Sequence, residues 1–280
     1  MLKDITIGQY YSVDSVIHRL DPRTKIIGTF FFIVILFVIK GIYGLLLAGL
    51  LLLLVVKAAK VPLSYIVRGQ KSIMFLLMFT VVLNMLMVKG EVLVQFWFLK
   101  ITREGIYTAV FMAIRLILLV IGCSLMTLTT TPLQLTDGLE RLLRPLKKIK
   151  VPVHDISMMM SIALRFIPIL MEETDKIMKA QSARGADFDS GGLVQKAKAL
   201  IPVLVPLVIS AFRRADELAT AMEARCYRGD EGRTRMKELR YKKQDYVAKA
   251  VVLAACIGLY MARFLPSVTQ TWQMITGIFS

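Results

Sequence analysis

The sequence predicts an all-α integral membrane protein with about five transmembrane helices and a cytoplasmic module of one short and two long helices. Of the 280 residues, 56% are hydrophobic, and the mean hydropathy of +0.63 lies above that of a typical soluble domain. The apolar residues are gathered into runs long enough to cross a bilayer. The charged residues lie between those runs, and the formal net charge is +16.

Five apolar runs predict the transmembrane helices. The first two lie within residues 26–56, where the only charge is Lys40, followed by Gly41. One helix of that length would measure about 46 Å, well beyond the ~30 Å hydrocarbon core. Two short spans joined by a turn at Lys40 and Gly41 are therefore favoured. The other three runs cover residues 72–88, 105–130 and 247–264.

The distribution of positive charge predicts the orientation of these spans, because cytoplasmic loops are enriched in Lys and Arg. With the N-terminus in the cytoplasm, segments 1–25, 57–71 and 131–246 contain 29 of the 36 Lys and Arg residues, and the external segments contain four. The predicted division is an N-terminal cytoplasmic segment with four spans (1–130), a cytoplasmic helical module (131–246), and a C-terminal span with an external tail (247–280). Because the basic excess follows membrane topology, nucleic acid is not an expected partner, and the lipid bilayer is.

The cytoplasmic module is predicted to begin with a short helix at Thr131 and Pro132, a hydroxyl N-cap followed by proline at the first helical position. Its leucines form one side, surrounded by Arg and Lys, as in a helix lying along an anionic membrane surface. Apolar residues at helical spacing then predict two long helices, over about 154–183 and 193–224. Both are placed outside the bilayer or at its surface, because their apolar parts are interrupted by Arg165 or by prolines.

The two long helices have similar endings, 41 residues apart in the sequence. The first ends in Ala183, Arg184 and Gly185, and the second in Ala224, Arg225 and Cys226. A single arginine at a helix C-terminus is explained by the helix dipole alone. Two such endings favour a matched pair of docking tips, in which small neighbours let each planar guanidinium reach the bottom of a partner's groove. A left-handed cap is less favourable at Cys226 than at Gly185.

These endings resemble motifs of the transmembrane T component of energy-coupling factor (ECF) transporters, vitamin and metal-ion importers of the ABC superfamily. The segments 20–25 (Leu-Asp-Pro-Arg-Thr-Lys) and 163–168 (Ala-Leu-Arg-Phe-Ile-Pro) are also similar to that family. The resemblance implies that Arg184 and Arg225 dock into two ABC-type ATPase subunits, A and A′. It further implies that the long helices relay ATPase motion to a separate substrate-binding S component for vitamin uptake across a bacterial cell membrane.

An enzyme is not expected. The segment 69–72 (Gly-Gln-Lys-Ser) lacks the register of a P-loop, and no metal-ligand motif is present in the sequence. Catalytic, cofactor and metal sites are therefore not predicted, and ATP is expected on the partner ATPases. A secondary carrier would need intramembrane carboxylates, whereas the main charge within a span is Arg115, facing either the S component or an internal carbonyl cluster. The alternative is a permease subunit of an ordinary ABC importer.

Overall fold

In a computed structural model, residues 10–39, 41–68, 71–88, 92–96, 99–186, 188, 192–229 and 239–261 are described. Within these ranges the chain forms helices and one short hairpin of two strands, which confirms the all-α membrane fold class. The helices are α1 (Pro22–Val38), α2 (Ile42–Ala59), α3 (Leu63–Arg68), α4 (Lys71–Met87), α5 (Arg103–Thr129), α6 (Pro132–Leu143), α7 (Val153–Ala183), α8 (Leu193–Ala224) and α9 (Lys243–Met261). A 3-10 helix (Arg144–Ile149) follows α6, and the hairpin consists of β1 (Val92–Phe96) and β2 (Leu99–Thr102).

The helix boundaries follow the local signals in the sequence. The apolar region 26–56 is divided as predicted, since α1 ends at Val38 and α2 begins at Ile42, with Gly41 as its N-cap. Lys40, assigned to the same turn, lies outside the described residues. The short helix α3 and the antiparallel β1–β2 hairpin were not predicted. Both lie in connections between apolar runs, where hydropathy carries little information about secondary structure.

Side-chain N-caps begin two helices, and the one predicted at Thr131 is confirmed. Asp21 accepts a hydrogen bond from the Arg23 backbone N–H at 2.9 Å, with Pro22 at the first position of α1. At the start of α6, the Gln134 N–H donates to Thr131 Oγ1 at 3.3 Å, and the Thr131 N–H donates to Gln134 Oε1 at 3.2 Å. This reciprocal pair is a capping box, which satisfies two donors that a helix start otherwise leaves open.

The described residues divide into two compact units. We call those within 10–139 and 239–261 the membrane unit, and those within 140–229 the long-helix unit. In the membrane unit α1 packs against α5 and α9, while α2 and α4 pack against α5. Its core includes the fully buried side chains Leu36, Ile39, Leu45, Leu128 and Leu259.

Four of the described helices, α2, α5, α7 and α9, are long and apolar enough to cross a membrane, and α4 contains a shorter apolar helix, Ile73–Met85. The 17 residues of α1 extend about 26 Å, near the lower limit for a span. The structure thus describes a multi-pass membrane protein. Helix α7 is also long and apolar enough to cross a membrane. Its position outside the bilayer or at its surface stays a prediction, based on Arg165 and its charged second half.

Two cations fasten the ends of helices in the membrane unit. The Lys25 Nζ donates to the Thr129 carbonyl at 2.6 Å, at the last residue of α5, and Lys25 is only 8% exposed. The Arg115 guanidinium donates from Nη2 to the Ile39 carbonyl at 2.6 Å and lies 4.6 Å from the centre of the Phe111 ring. Of the two alternatives for Arg115, the structure therefore shows an internal carbonyl contact.

Candidate functional site: two arginine-capped helix ends

The C-terminus of α7 forms a complete Schellman motif around Arg184. Arg184 is the C-cap, and Gly185 follows with a φ of 89°. The Ala186 N–H donates to the Gln181 carbonyl at 3.0 Å, and the Gly185 N–H donates to the Ser182 carbonyl at 3.0 Å. These two bonds satisfy carbonyls that would otherwise have no partner at the helix end. They turn the chain sharply, so Arg184 stands at the very end of the helix.

The C-terminus of α8 repeats this motif around Arg225. The Tyr227 N–H donates to the Met222 carbonyl at 3.0 Å, and the Cys226 N–H donates to the Glu223 carbonyl at 2.8 Å. Cys226 has a φ of 54°, so a non-glycine residue occupies the left-handed position. This conformation costs an L-residue about 1–2 kcal/mol. Cysteine adopts the left-handed conformation less readily than glycine, but both helices still end in the same hydrogen-bonded turn.

All six residues of the two endings are exposed. Within the part of the chain that the structure describes, neither the Arg184 nor the Arg225 guanidinium takes part in a hydrogen bond or an ion pair. An arginine in this setting keeps its planar set of N–H donors available for a carboxylate or for carbonyls of another molecule. The structure places each predicted site residue at an accessible helix end.

An ion pair joins the two long helices at equivalent positions. The Arg214 Nη2 donates to Glu173 Oε2 at 2.8 Å, and both side chains are about one-third exposed. Glu173 and Arg214 are 41 residues apart, the same interval that separates Arg184 from Arg225. A contact between equivalent residues is what a local two-fold axis between α7 and α8 would produce.

A second contact shows that α7 and α8 run antiparallel. The Gln181 side-chain amide reaches the Pro202 carbonyl at 3.5 Å. That carbonyl is available because Pro206, one turn later, has no N–H to donate to it. From Pro202 to Arg225 the helix advances on the order of 35 Å at 1.5 Å per residue. Arg184 and Arg225 therefore lie near opposite ends of the helix pair, as two separate sites rather than one.

The Glu173–Arg214 pair was not predicted from the sequence, although a signal was present. The 41-residue offset aligns an acidic residue of α7 with a basic residue of α8, and this complementarity is readable without a structure. Arg165 is exposed, and among the described residues it forms no ion pair with Glu172 or Asp155.

The apolar helices and the two matched ends define a multi-pass membrane protein with a paired-helix module. Residues 14–236 match the family model of CbiQ, described as a cobalt transport protein. Over 253 residues the chain is 56% identical to the energy-coupling factor transporter transmembrane protein EcfT of Ruminiclostridium cellulolyticum, covering 90% of this chain and 95% of that protein. It is 55% identical over 262 residues to the EcfT of Clostridium kluyveri (92% and 97%), and 47% identical over 260 residues to that of Bacillus subtilis (92% and 98%).

The chain therefore belongs to the CbiQ/EcfT family, the transmembrane components of energy-coupling factor transporters. This confirms the resemblance read from the two helix endings and from segments 20–25 and 163–168.

Proposed function

We propose that this chain transmits ATP-driven motion from two ABC-type ATPase subunits to a separate membrane S component, which binds a vitamin or another micronutrient. In this proposal the chain lies in the bacterial cell membrane with its N-terminus in the cytoplasm. Residues 131–246 form the cytoplasmic coupling module, between the spans of 1–130 and the final span of 247–280. The chain itself is not catalytic, and ATP is bound by the ATPase subunits.

The observation that carries this proposal is the identical geometry of the two arginine-capped helix ends. Each tip combines an exposed guanidinium with small neighbours and a tight turn. Such a tip can enter a groove and form bidentate, charge-assisted hydrogen bonds at its base. Two matched tips on one chain suit two ATPases with equivalent grooves, and we assign Ala183, Arg184 and Gly185 to one and Ala224, Arg225 and Cys226 to the other.

The helix pair is suited to carry motion between the tips. Helices α7 and α8 contain 31 and 32 residues, so each extends about 47 Å as a continuous lever. The Glu173–Arg214 ion pair joins them at equivalent positions. A displacement of one tip is then transmitted to the other helix through this contact between α7 and α8.

An apolar stripe on α8 supports an apolar partner for the same module. Its members recur at helical spacing, and each is between 50% and 68% exposed: Ile201, Leu204, Val205, Val208, Ile209 and Phe212. A contiguous exposed apolar surface of this kind marks an interaction site or a membrane contact. We assign it to the S component, which as a membrane-embedded subunit presents apolar surface.

The alternative interpretation of the sequence was a permease subunit of an ordinary ABC importer. Such a subunit usually presents one coupling helix and works as a pair, whereas this chain carries two arginine tips. The family match also supports the T-component interpretation.

The test substitutes the tips one at a time and together. Loss of a charge-assisted hydrogen bond costs about 1.5–3 kcal/mol, so Arg184→Ala or Arg225→Ala should each weaken the binding of one ATPase by roughly 10- to 150-fold. The double variant should lose both ATPases on co-purification and lose vitamin uptake in proteoliposomes. Arg184→Lys and Arg225→Lys keep the positive charge but remove the planar guanidinium. We expect these variants to bind the ATPases more tightly than the Ala variants and less tightly than the parent.

Matched controls remove a positive charge from the same helices at least one turn before their C-terminal arginines. Lys179→Ala on α7 and Arg213→Ala on α8 affect exposed cations, and both should retain the ATPases and uptake. Full uptake and two bound ATPases in the double tip variant would show that the docking role is wrong.

A further inference from the structure

The middle of α6 packs where the charged N-terminal segment meets the apolar part of α1. The helix begins shortly after α5 ends at Thr129. Gly138 packs so closely on the start of α1 that a Cβ added there would stand 2.9 Å from the Pro22 Cβ and 3.2 Å from the Ile26 Cδ1. Ile26 is the first residue of the first apolar run. In the proposed topology, this part of α6 therefore lies at the cytoplasmic interface of the membrane.

A basic cleft follows directly along the same segment. It is open, has a volume of ≈ 570 Å³, and is lined by Arg141, Arg144, Pro145, Lys147 and Lys148. No carboxylate is among these lining residues. The Nε of Arg141 is buried and has no hydrogen-bond partner within the described residues. A buried donor of this kind requires an acceptor, which here has to come from outside the described residues.

Glu140, which precedes Arg141 on α6, contacts the first turns of α7. Glu140 Oε1 lies 3.2 Å from His154 Nδ1, and Glu140 Oε2 accepts a hydrogen bond from Ser157 Oγ at 2.6 Å. Glu140 is thus engaged by the first turns of α7. The lining of the cleft contains four basic residues, so its potential is positive, which suits an anionic ligand.

Exposed apolar side chains alternate with these cations. Leu139 is 46% exposed, Leu146 is 38% exposed, and Ile149 is 77% exposed. A free phosphate or an acidic protein surface would leave such residues in water or against charge. At a lipid surface they enter the acyl boundary, while neighbouring Arg and Lys extend their charged ends to the headgroups.

We propose that Arg141, Arg144 and Lys148 bind the phosphate of an anionic phospholipid at the membrane interface. Leu146 and Ile149 contact its acyl chains. The bound lipid anchors the segment between α5 and α7. The site rests on the topology of the proposed function, but it is separate from the tips at Arg184 and Arg225.

The experiment compares lipid binding by the purified full chain in detergent micelles, using native mass spectrometry with added phosphatidylglycerol or phosphatidylcholine. The parent should retain phosphatidylglycerol in preference to phosphatidylcholine. The triple variant Arg141→Gln/Arg144→Gln/Lys148→Gln should lose at least about tenfold in phosphatidylglycerol binding, since each basic group near an anionic lipid contributes roughly fivefold. Added glycerol phosphate should not displace the lipid, because it lacks the acyl chains.

A matched control removes three exposed cations elsewhere, Lys57, Lys242 and Lys243, as the corresponding Gln variants. The control should retain phosphatidylglycerol. If both triple variants lost phosphatidylglycerol binding equally, the effect would come from total charge and the proposed site would be wrong. Unchanged phosphatidylglycerol binding by the cleft variant would also overturn the proposal. The double variant Arg144→Gln/Lys148→Gln leaves the partly buried Arg141 in place and should show an intermediate loss if folding of the triple variant is impaired.

ATPase co-purification in lipid-free detergent gives a separate readout. The cleft variant should retain both ATPases. If it loses them while still retaining phosphatidylglycerol, the cleft is a protein-docking surface and the lipid proposal is wrong. If the double tip variant retained both ATPases, the proposed function would be contradicted, whereas the lipid site would not.

Discussion

Removal of the Asp245 carboxylate should destabilise the membrane unit strongly. Asp245 is only 2% exposed. Its Oδ1 accepts a hydrogen bond from the Asp21 backbone N–H at 2.7 Å, and its Oδ2 accepts one from the Lys242 N–H at 2.8 Å. Asp21 caps α1 and Lys242 precedes α9. One buried carboxylate therefore joins the starts of two apolar helices that are distant in the sequence.

The magnitude follows from the two donors that would lose their acceptor. A buried N–H without a partner costs about 1–3 kcal/mol. The hydrogen bond from Asp21 is buried and the one from Lys242 is only partly buried, so Asp245→Ala should cost roughly 3 kcal/mol. Asp245→Asn keeps one side-chain oxygen and should cost about half as much. Asp14 provides the contrast, because its ion pair with Arg19 is largely exposed and solvent weakens such pairs. Asp14→Asn should therefore have little effect.

The assay is the apparent melting temperature of the full chain in detergent, followed by size-exclusion chromatography after heating. At about 2–4 °C per kcal/mol, Asp245→Ala should melt on the order of 10 °C below the parent, and Asp245→Asn should fall between the two. Asp14→Asn should melt with the parent. The reasoning would be refuted if Asp245→Ala melted within about 2 °C of the parent, or if Asp14→Asn produced an equal shift.

Two further predictions concern helix ends. Lys25→Ala should cost about 2–3 kcal/mol and lower the melting temperature, because the Thr129 carbonyl loses its buried donor; exposed Lys57→Ala is the control, and equal shifts would contradict the prediction. Gly185→Ala should accelerate amide hydrogen exchange at the end of α7 about fivefold, since the left-handed residue then costs about 1 kcal/mol. Cys226→Gly should slow exchange at the end of α8, and identical exchange profiles would show that neither cap limits opening.

Much of the helical architecture is readable from local sequence. The long helices were expected over about 154–183 and 193–224, and they are observed as Val153–Ala183 and Leu193–Ala224. The break near Gly41 is set by the length of a bilayer, which one helix over 26–56 would exceed. Apolar periodicity, N-cap residues and C-terminal small residues act within a few positions of each other, so they can be read without knowledge of the fold.

The tips were also readable, but only in part. The duplicated Ala-Arg-small pattern identified both helix ends, and the local geometry agrees at Arg184 and Arg225. The left-handed conformation of Cys226 went against residue preference. Its two closing backbone hydrogen bonds offset the local cost, and preference alone does not include them.

The sequence by itself determined the membrane class, the division into helices and the two arginine endings, because each depends on hydropathy or on neighbours along the chain. Only the tertiary structure decided which distant groups meet: Lys25 with the end of α5, Arg115 with the end of α1, and Asp245 with the start of α1. The pairing of Glu173 with Arg214 belongs to the same class. Each of these contacts depends on how helices pack in three dimensions, and the free energy of burying a polar group depends on the partner that packing supplies.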